Sequence, residues 1–121
     1  MIVKYVRERG YKGQGQDPSL TLGKHYYVFG FDIRPDGYPN YISIRRESDG
    51  TPVLFEYSCF EVVDPRIPDG WCFFHLSEPY QRLDPCEFGG DFWDLFHDGD
   101  SEAEAVFEKV AKKIEAFHSS S

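Results

Sequence analysis

The chain has 121 residues, a formal net charge of -8, and 40% hydrophobic residues. A chain of this length folds as one domain with a single core, and this apolar content excludes intrinsic disorder. Its longest apolar runs are far shorter than the roughly 20 residues that cross a bilayer, and its N-terminus does not resemble a signal peptide. We therefore expect one cytoplasmic domain, residues 1–121, without a cofactor.

Acidic residues are concentrated in one segment of the chain. Nine acidic residues and no basic residue lie between Asp84 and Glu108, whereas the rest of the chain is nearly neutral. Negative charge placed in this way repels phosphate and anionic lipid and attracts cationic surfaces. The segment therefore predicts a basic protein partner rather than nucleic acid or a membrane. In the alternative interpretation, the acids only keep the domain soluble and favour the start of a helix.

The chain has three cysteines, Cys59, Cys72 and Cys86, and none of them lies in a C-x-x-C spacing. Three cysteines cannot all pair within one chain, and a free cysteine packs as a small hydrophobic residue. We therefore expect buried, reduced thiols.

The first half of the chain shows strand patterns separated by turn residues. Residues 1–9 predict a first strand, and residues 20–33, LTLGKHYYVFGFDI, predict a long strand that bends at Gly23 or Gly30. The segment YISIRRES alternates with a period of two, which is typical of a strand. The Asp-Gly pair that follows it predicts a hairpin.

Two further segments complete the predicted sheet. Residues 52–64 are long enough for two short strands or one bent strand, and residues 71–78, WCFFHLSE, predict another strand. The linkers are too short for helical crossovers, so we expect antiparallel pairing. The predicted fold class is α+β: a curved antiparallel sheet or SH3-like barrel of about five or six strands over residues 1–78, with a C-terminal amphipathic helix. Residues 79–99 are expected to form a loop with a short helical turn.

The C-terminal helix is predicted over residues 101–118. Ser101 and Glu104 have the S-x-x-E spacing of a capping box. Apolar residues then recur at spacings of three and four, which predicts one apolar stripe that packs across the sheet. The stripe consists of Phe107, Val110, Ile114 and Phe117.

The preceding segment, DFWDLF, predicts the short helical turn. Helical periodicity directs Phe92, Leu95 and Phe96 toward the core. The same periodicity directs three carboxylates toward solvent: Asp91, Asp94 and Asp98.

The segment DLFHDGDSEAEA resembles the beginning of a calcium-binding loop. Asp94 and Asp98 take its first and fifth positions, but the third position is Phe96 and the twelfth is Ala105. Two ligands of that loop are therefore missing, including the bidentate acid. We expect no metal here, and expect Asp98 and Asp100 to end one turn and begin the next helix.

The sequence contains no catalytic motif. No histidine pairs with a cysteine or an aspartate at zinc-ligand spacing, and Cys72 and His75 would point to opposite faces of one strand. The basic residues lack the aromatic stacking signature of an RNA-recognition motif. We therefore expect a protein that is not an enzyme. The four histidines considered are His25, His75, His97 and His118.

Trp93 lies between Asp91 and Asp94, so a rigid aromatic ring is flanked by charges that attract Arg or Lys. In the alternative interpretation, Trp93 caps the sheet and its N–H donates to a loop carbonyl. The predicted partner-binding residues are Asp91, Trp93, Asp94, Asp98, Asp100 and Glu102.

Three segments, LTLGKHYYVFGFDI, YISIRRESDGTPVLFEYSCFEVVDPRIPDGW and FWDLFHDGDSEAEAVFEKV, resemble small bacterial immunity proteins of contact-dependent growth inhibition and related polymorphic toxin systems. The shared features are an L-T-x-G-K-x-Y-x-V strand opening, a D-G hairpin into an F-E-V-V-D strand, and a short acidic helix. The resemblance implies a cytosolic protein that neutralises a secreted toxin domain, commonly a nuclease, by occluding an essential surface.

Two other function classes stay open at this point. The first is a small enzyme or ligand-binding barrel that uses His25, His75 or His97 in a cleft, and a deep polar pocket holding two of them would favour it. The second is a generic protein-interaction adaptor.

Overall fold

The computed structural model describes residues 1–7, 20–35, 39–77 and 80–119. The fold is α+β, with two antiparallel sheets and a long C-terminal helix, so the predicted fold class is confirmed. The smaller sheet has three strands, with the first of them in the middle. These strands are β1 (Ile2–Tyr5), β2 (His25–Tyr27) and β6 (Phe60–Asp64).

The larger sheet contains five strands. They are β3 (Gly30–Ile33), β4 (Tyr41–Arg45), β5 (Pro52–Glu56), β7 (Trp71–Ser77) and β8 (Tyr80–Pro85). Their order across the sheet is β5-β4-β3-β8-β7, and every described pairing is antiparallel.

The prediction of one long strand over residues 20–33 is wrong, because β2 and β3 belong to different sheets. The chain changes sheet at Val28 and Phe29, which are both buried. The amide of Val28 donates to the carbonyl of Met1, and the amide of Phe29 donates to the carbonyl of Ser43, at 3.0 and 2.9 Å. The adjacent residues Val28 and Phe29 thus bond to distant parts of the chain, Met1 and Ser43. The alternating segment is therefore divided into two strands.

A closed barrel does not form among the described residues, and the strands number eight rather than five or six. The strand missing from the prediction is β8, which we expected to be part of a loop. Its inward positions hold Arg82 and Asp84, so the usual alternation of apolar and polar residues is absent. Because its inward residues are polar, hydrophobic periodicity does not identify this strand in the sequence.

Local turn signals gave correct predictions. The Asp-Gly pair lies in the hairpin between β4 and β5, where Gly50 has a φ of 72°. The amide of Arg46 donates to the carbonyl of Thr51 at 2.9 Å. Residues 52–64 form two short strands, joined by a 3-10 turn at Tyr57–Cys59. The first strand ends at Tyr5, and residues 8 and 9 of the predicted strand lie outside the described residues.

Two helices follow the larger sheet. Helix α1 spans Phe92–His97 and α2 spans Ser101–Ser119. The predicted capping box is wrong by one residue, because the carboxylate of Asp100 accepts from the amide of Ala103 at 2.9 Å. Asp100 is therefore the N-cap. Among the described residues, no helix combines the length and apolar character that crossing a membrane requires.

The core has two parts. One combines residues of both sheets, among them Val3, Val28, Ile42 and Ile44, which are fully buried. The other joins the helices to the sheet, and we call it the phenylalanine cluster: Phe29, Phe88, Phe92 and Phe107, with Phe96 packed against them. The apolar stripe of α2 faces this second part. Its Phe107, Val110 and Ile114 are buried and its Phe117 is half-buried, as the spacing predicts.

The expectation of reduced thiols is wrong for two of the three cysteines. Cys72 on β7 and Cys86 after β8 form a disulfide, with their Cα atoms 5.1 Å apart. They are 14 residues apart in the chain but close in space, because β7 and β8 pair with each other. The disulfide fixes the end of β8, and the turn that leads to α1, to the strand at the edge of the larger sheet. Cys59 is not part of this disulfide and is buried, as expected.

Candidate functional site

The predicted partner-binding carboxylates lie on α1 and at the beginning of α2. Asp91 precedes α1, Asp94 lies within it and Asp98 follows it, and all three are exposed as helical periodicity predicts. Glu102 in the first turn of α2 is also exposed, whereas Asp100 is half-buried and serves as the helix cap. The predicted roles of Asp98 and Asp100, at the end of one helical turn and the start of the next helix, are confirmed.

Most of these carboxylates form no ion pair with a described basic residue. Within the described ranges, no Lys or Arg forms an ion pair with Asp91, Asp94, Asp98 or Glu102. We call these four carboxylates the acidic face. Three other acids of the same segment are paired internally. These pairs are Asp84 with Arg82, Glu87 with Lys113, and Glu108 with Arg45.

Trp93 belongs partly to the core and partly to the surface. Its ring centroid lies 5.1 Å from that of Phe88 and 5.0 Å from that of Phe92, so it packs on the phenylalanine cluster. Its indole N–H donates to the carboxylate of Asp84 at 3.3 Å, and not to a loop carbonyl. The residue is half-buried and also lines a groove. Trp93 therefore packs on the core, as in the interpretation that it caps the sheet, and part of its ring also faces a groove, where a partner could contact it.

The prediction for Leu95 is wrong: it is 40% exposed, whereas Phe92 is buried and Phe96 is half-buried. Trp93 takes the third inward position because its N–H reaches the buried carboxylate of Asp84. Sequence periodicity does not contain this information, since Asp84 belongs to a different element.

A buried ionic network lies below Trp93. Arg82 donates to both oxygens of Asp84, at 2.9 and 3.2 Å, and one of its nitrogens lies 4.0 Å from the carboxylate of Asp32. Asp32 also accepts two hydrogen bonds from Arg34, at 3.1 and 2.8 Å. These four residues are on the adjacent strands β3 and β8 or directly after β3. Each charge therefore has a partner, as buried charges require.

Asp84 is the most enclosed member of this network, with 1% of its surface exposed. Burial raises the pKa of its carboxyl above the ordinary value, and the Arg82 guanidinium opposes that shift. Gly30 leaves room for the carboxylate, because a Cβ at this position would lie 2.0 Å from an oxygen of Asp84. No sequence motif predicted a role for these residues. The signal that could have found them is the spacing of opposite charges two residues apart in FDIR and RLD, which places each pair on one face of a strand.

A groove of about 550 Å³ lies between α1 and the hairpin of β4 and β5. Its wall combines apolar and polar side chains, among them Leu54, Trp93, His97 and Arg46. The charge of Arg46 is neutralised by a two-pronged contact with Asp49, at 2.9 and 2.8 Å. Arg82 also lines the groove, and its charge is paired with Asp84. Asp94 immediately follows Trp93 in the helix and is exposed. The groove thus exposes part of the Trp93 ring, and the acidic face continues from it along α1 in the sequence.

The histidines do not share one cleft. In the described residues, His97 lines the groove beside α1, His25 lines a second groove of about 220 Å³, and His75 lines a third of about 260 Å³. The arrangement that would favour a histidine-based enzyme, two histidines in one deep polar pocket, is not found in these three grooves. No group of three or more His, Cys, Asp or Glu residues suited to a metal ion occurs in the part of the chain that the structure describes.

His118 near the end of α2 forms a separate polar centre. Its Nδ1 lies 3.1 Å from the carboxylate of Asp64, and its Nε2 lies 3.1 Å from the amine of Met1. Arg66 donates to the same carboxylate, which holds the pKa of Asp64 well below its usual range. Burial, followed by the nearby amine, lowers the pKa of His118, whereas Asp64 opposes this shift. No sequence motif predicted a role for His118.

This centre predicts that stability decreases in mildly acidic solution. Burial lowers the pKa of the Met1 amine from 8.0 to about 6 and lowers the pKa of His118 below 6.5, so the unfolded chain binds these protons more tightly than the folded one. The stability that comes from the neutral forms is present above these unfolded values. It is lost as the pH falls through the folded values. We expect the free energy of unfolding, measured with urea, to decrease between pH 8 and pH 5.

The matched pair of variants for this measurement is His118→Gln and His97→Gln. His118 is buried, so its replacement should flatten the pH dependence, whereas His97 is exposed and its replacement should leave the profile unchanged. A profile of His118→Gln that is as steep as that of the unaltered protein would contradict the assignment.

Comparisons with protein-family models, with curated proteins and with solved structures find no match for this chain.

Proposed function

We propose that this protein is an immunity protein, a non-catalytic binding protein that neutralises a basic, nuclease-like toxin domain through the acidic face and Trp93. The observation that carries the proposal is the group of exposed carboxylates at Asp91, Asp94, Asp98 and Glu102, which have no cationic partner among the described residues. A nuclease attracts polyanionic nucleic acid with a positive surface. An acidic inhibitor is attracted to the same surface and can occupy it.

The groove beside α1 supports this proposal. Protein interfaces derive most of their affinity from a few aromatic or arginine residues in desolvated pockets, while surrounding charges accelerate association. Trp93 is half-buried and lines the groove, so its position is held before a partner arrives. The exposed carboxylates of Asp91 and Asp94 lie close to Trp93 in the sequence. An apolar side chain of the toxin that enters the groove would contact the ring, while basic residues around it would meet these carboxylates.

The direct test uses the polypeptide encoded immediately upstream of this protein. We expect the two purified chains to form a one-to-one complex, and we expect the complex to lack the nuclease activity of the isolated toxin. An upstream product that neither binds nor harms cells would contradict the proposal. So would a purified protein that itself turns over a substrate.

The contribution of the acidic face is tested by neutralising Asp91, Asp94 and Asp98 together, as Asn residues. We expect the association rate constant with the toxin, measured by stopped-flow at low salt, to fall by about tenfold or more, because long-range attraction steers such encounters. The salt dependence of that rate should become weaker. Asp100 is left unchanged because it caps α2.

The matched control neutralises three exposed acids elsewhere, with Glu61→Gln, Asp69→Asn and Glu115→Gln. Both triple variants remove the same amount of charge, so only the position of the charge differs. Equal effects of the two triple variants would show that net charge alone matters. In that case the assignment of the acidic face is wrong.

The cytoplasmic location is part of the proposal. It agrees with an inhibitor that meets a toxin after the toxin has entered the cell. The disulfide between Cys72 and Cys86 argues against a cytoplasmic location, because disulfides persist mainly in oxidising compartments. Cell fractionation combined with thiol labelling of these two cysteines tests location and redox state together.

A further inference from the structure

Strand β7 lies at one edge of the larger sheet. It pairs with β8 on one side, and no described strand pairs with it on the other. Its pairing with β8 is regular from Trp71 to His75, and the register shifts only between His75 and Ser77. An edge strand presents backbone N–H and C=O groups that another extended segment can bind.

The sequence of β7 lacks the features that usually protect such an edge. Proteins commonly protect edge strands with charged residues, with proline or by making the strand very short. The other described edges have these features: β5 begins at Pro52, β6 contains Glu61, and β2 has three residues. The seven residues of β7, WCFFHLS, include neither proline nor an acidic, lysine or arginine residue.

One face of this edge exposes a large apolar side chain. Phe73 is 68% exposed, the largest exposed fraction among the large hydrophobic residues that the structure describes. Its neighbour across the pair, Leu83, is half-buried. A segment that paired with β7 would place alternate side chains on this face, where contact with the Phe73 ring would remove apolar surface from water.

The opposite face of the edge packs against the segment that leads to Asp91. Phe74 packs over Gly89, where a Cβ would lie 2.5 Å from the phenylalanine ring. Phe74 and Gly90 line the same groove of about 260 Å³, and the exposed carboxylate of Asp91 follows directly. Glu87, which follows the disulfide-bonded Cys86, is exposed as well, but it forms an ion pair with Lys113. The two faces of this edge therefore differ in chemistry: one exposes the Phe73 ring, and the other is followed in the chain by the carboxylate of Asp91.

We propose that β7 accepts, as an additional antiparallel strand, an extended segment of a basic partner protein in which Lys or Arg alternates with apolar residues. The apolar side chains contact Phe73, and the basic side chains extend over the opposite face toward Asp91. A second copy of this chain fits less well, because each copy carries a net charge of -8. The inference rests on the proposed function and specifies how the toxin is held.

The test uses the full chain and a ten-residue peptide of alternating lysine and valine, with both ends blocked. Two isomers of this peptide carry N-methyl groups on alternate backbone amides, one set on the lysines and one on the valines. Only one set of amides faces β7, so we expect the Kd of one isomer to rise by about tenfold or more while the other resembles the parent peptide. Binding of the parent peptide should slow amide hydrogen exchange at residues 71–75.

The chain offers a matched pair of variants for the same measurement. Phe73→Lys places a charge on the β7 edge without changing the core, and Val63→Lys does the same on the edge strand β6, where Val63 is 47% exposed. We expect Phe73→Lys to weaken binding of the parent peptide by about tenfold and Val63→Lys to leave it unchanged. Equal binding of both methylated isomers would show that charge attraction alone binds the peptide, without backbone hydrogen bonds to β7. That result would overturn the inference.

Three further outcomes are decisive. A concentration-dependent dimer whose residues 71–75 exchange slowly without peptide would identify a second copy as the occupant, which also overturns the inference. If the acidic-face variant loses toxin binding while Phe73→Lys does not, strand addition is wrong and the immunity proposal stands. If the peptide binds as expected but the upstream product does not, the immunity proposal fails and strand addition stands.

Discussion

Replacing Arg82 by methionine is expected to lower the free energy of unfolding by about 3–5 kcal/mol, because it leaves a buried carboxylate without its cation. Asp84 is 1% exposed, and two of its hydrogen bonds come from the Arg82 guanidinium. The remaining partner in the network, the indole N–H of Trp93, is neutral. Urea denaturation at pH 7, followed by circular dichroism, measures the loss.

The control for this variant is Arg46→Met. Arg46 forms a similar two-pronged contact with Asp49, but both side chains are more than a third exposed. Exposed pairs of this kind contribute at most about 1 kcal/mol. A loss of stability in Arg82→Met no larger than that in Arg46→Met would show that the network is not the buried structure described above.

The loss of stability in Arg82→Met is also expected to depend on pH. Burial already raises the pKa of Asp84, and removal of Arg82 removes the charge that opposes this shift. A carboxyl whose folded pKa is raised stabilises the protein at low pH, and this contribution is lost as the pH rises through the folded value. The difference in stability between Arg82→Met and the unaltered protein should therefore shrink between pH 7 and pH 4.

Replacing Phe107 by alanine is expected to lower the free energy of unfolding by about 3–5 kcal/mol, because it creates a cavity among aromatic rings. Phe107 is 1% exposed, and its ring centroid lies 5.3 Å from that of Phe29, 5.6 Å from that of Phe88 and 5.3 Å from that of Phe96. It is the point at which α1, α2 and the sheet meet. Thermal and urea unfolding both report the loss.

The control is Leu95→Ala on the adjacent helix. Leu95 is 40% exposed, so its removal should change stability by no more than about 0.5 kcal/mol. Because the phenylalanine cluster also supports α1, Phe107→Ala should additionally increase hydrogen exchange in residues 92–97. A stable Phe107→Ala variant with an unchanged α1 would contradict the role given to this cluster.

The elements that were predicted correctly depend on local signals. The hairpin at Gly50 follows from Asp-Gly, and α2 follows from apolar residues repeated at three and four positions. The division of the strands between two sheets depends on contacts between distant residues, such as Val28 with Met1. No periodicity in the sequence encodes those contacts, so one long strand was predicted where two exist.

Some features of the candidate site follow from local sequence, and others depend on contacts between distant residues. Exposure of Asp91, Asp94 and Asp98 follows from the position of each residue around a short helix. The orientation of Trp93 depends on Asp84, which becomes buried only when β8 pairs with β3. Whether a toxin binds the acidic face stays a prediction, because the partner's surface determines it as much as this chain does.

The way the phenylalanine cluster is assembled has a consequence for folding during synthesis. Phe29 is synthesised well before Phe107 on α2. Until α2 leaves the ribosome, one side of the nascent larger sheet remains uncovered, and its apolar residues are open to chaperones or to aggregation. Slow codons or a stalled ribosome before the α2 region would prolong this exposure, so the yield of folded protein should depend on how quickly the α2 region is translated.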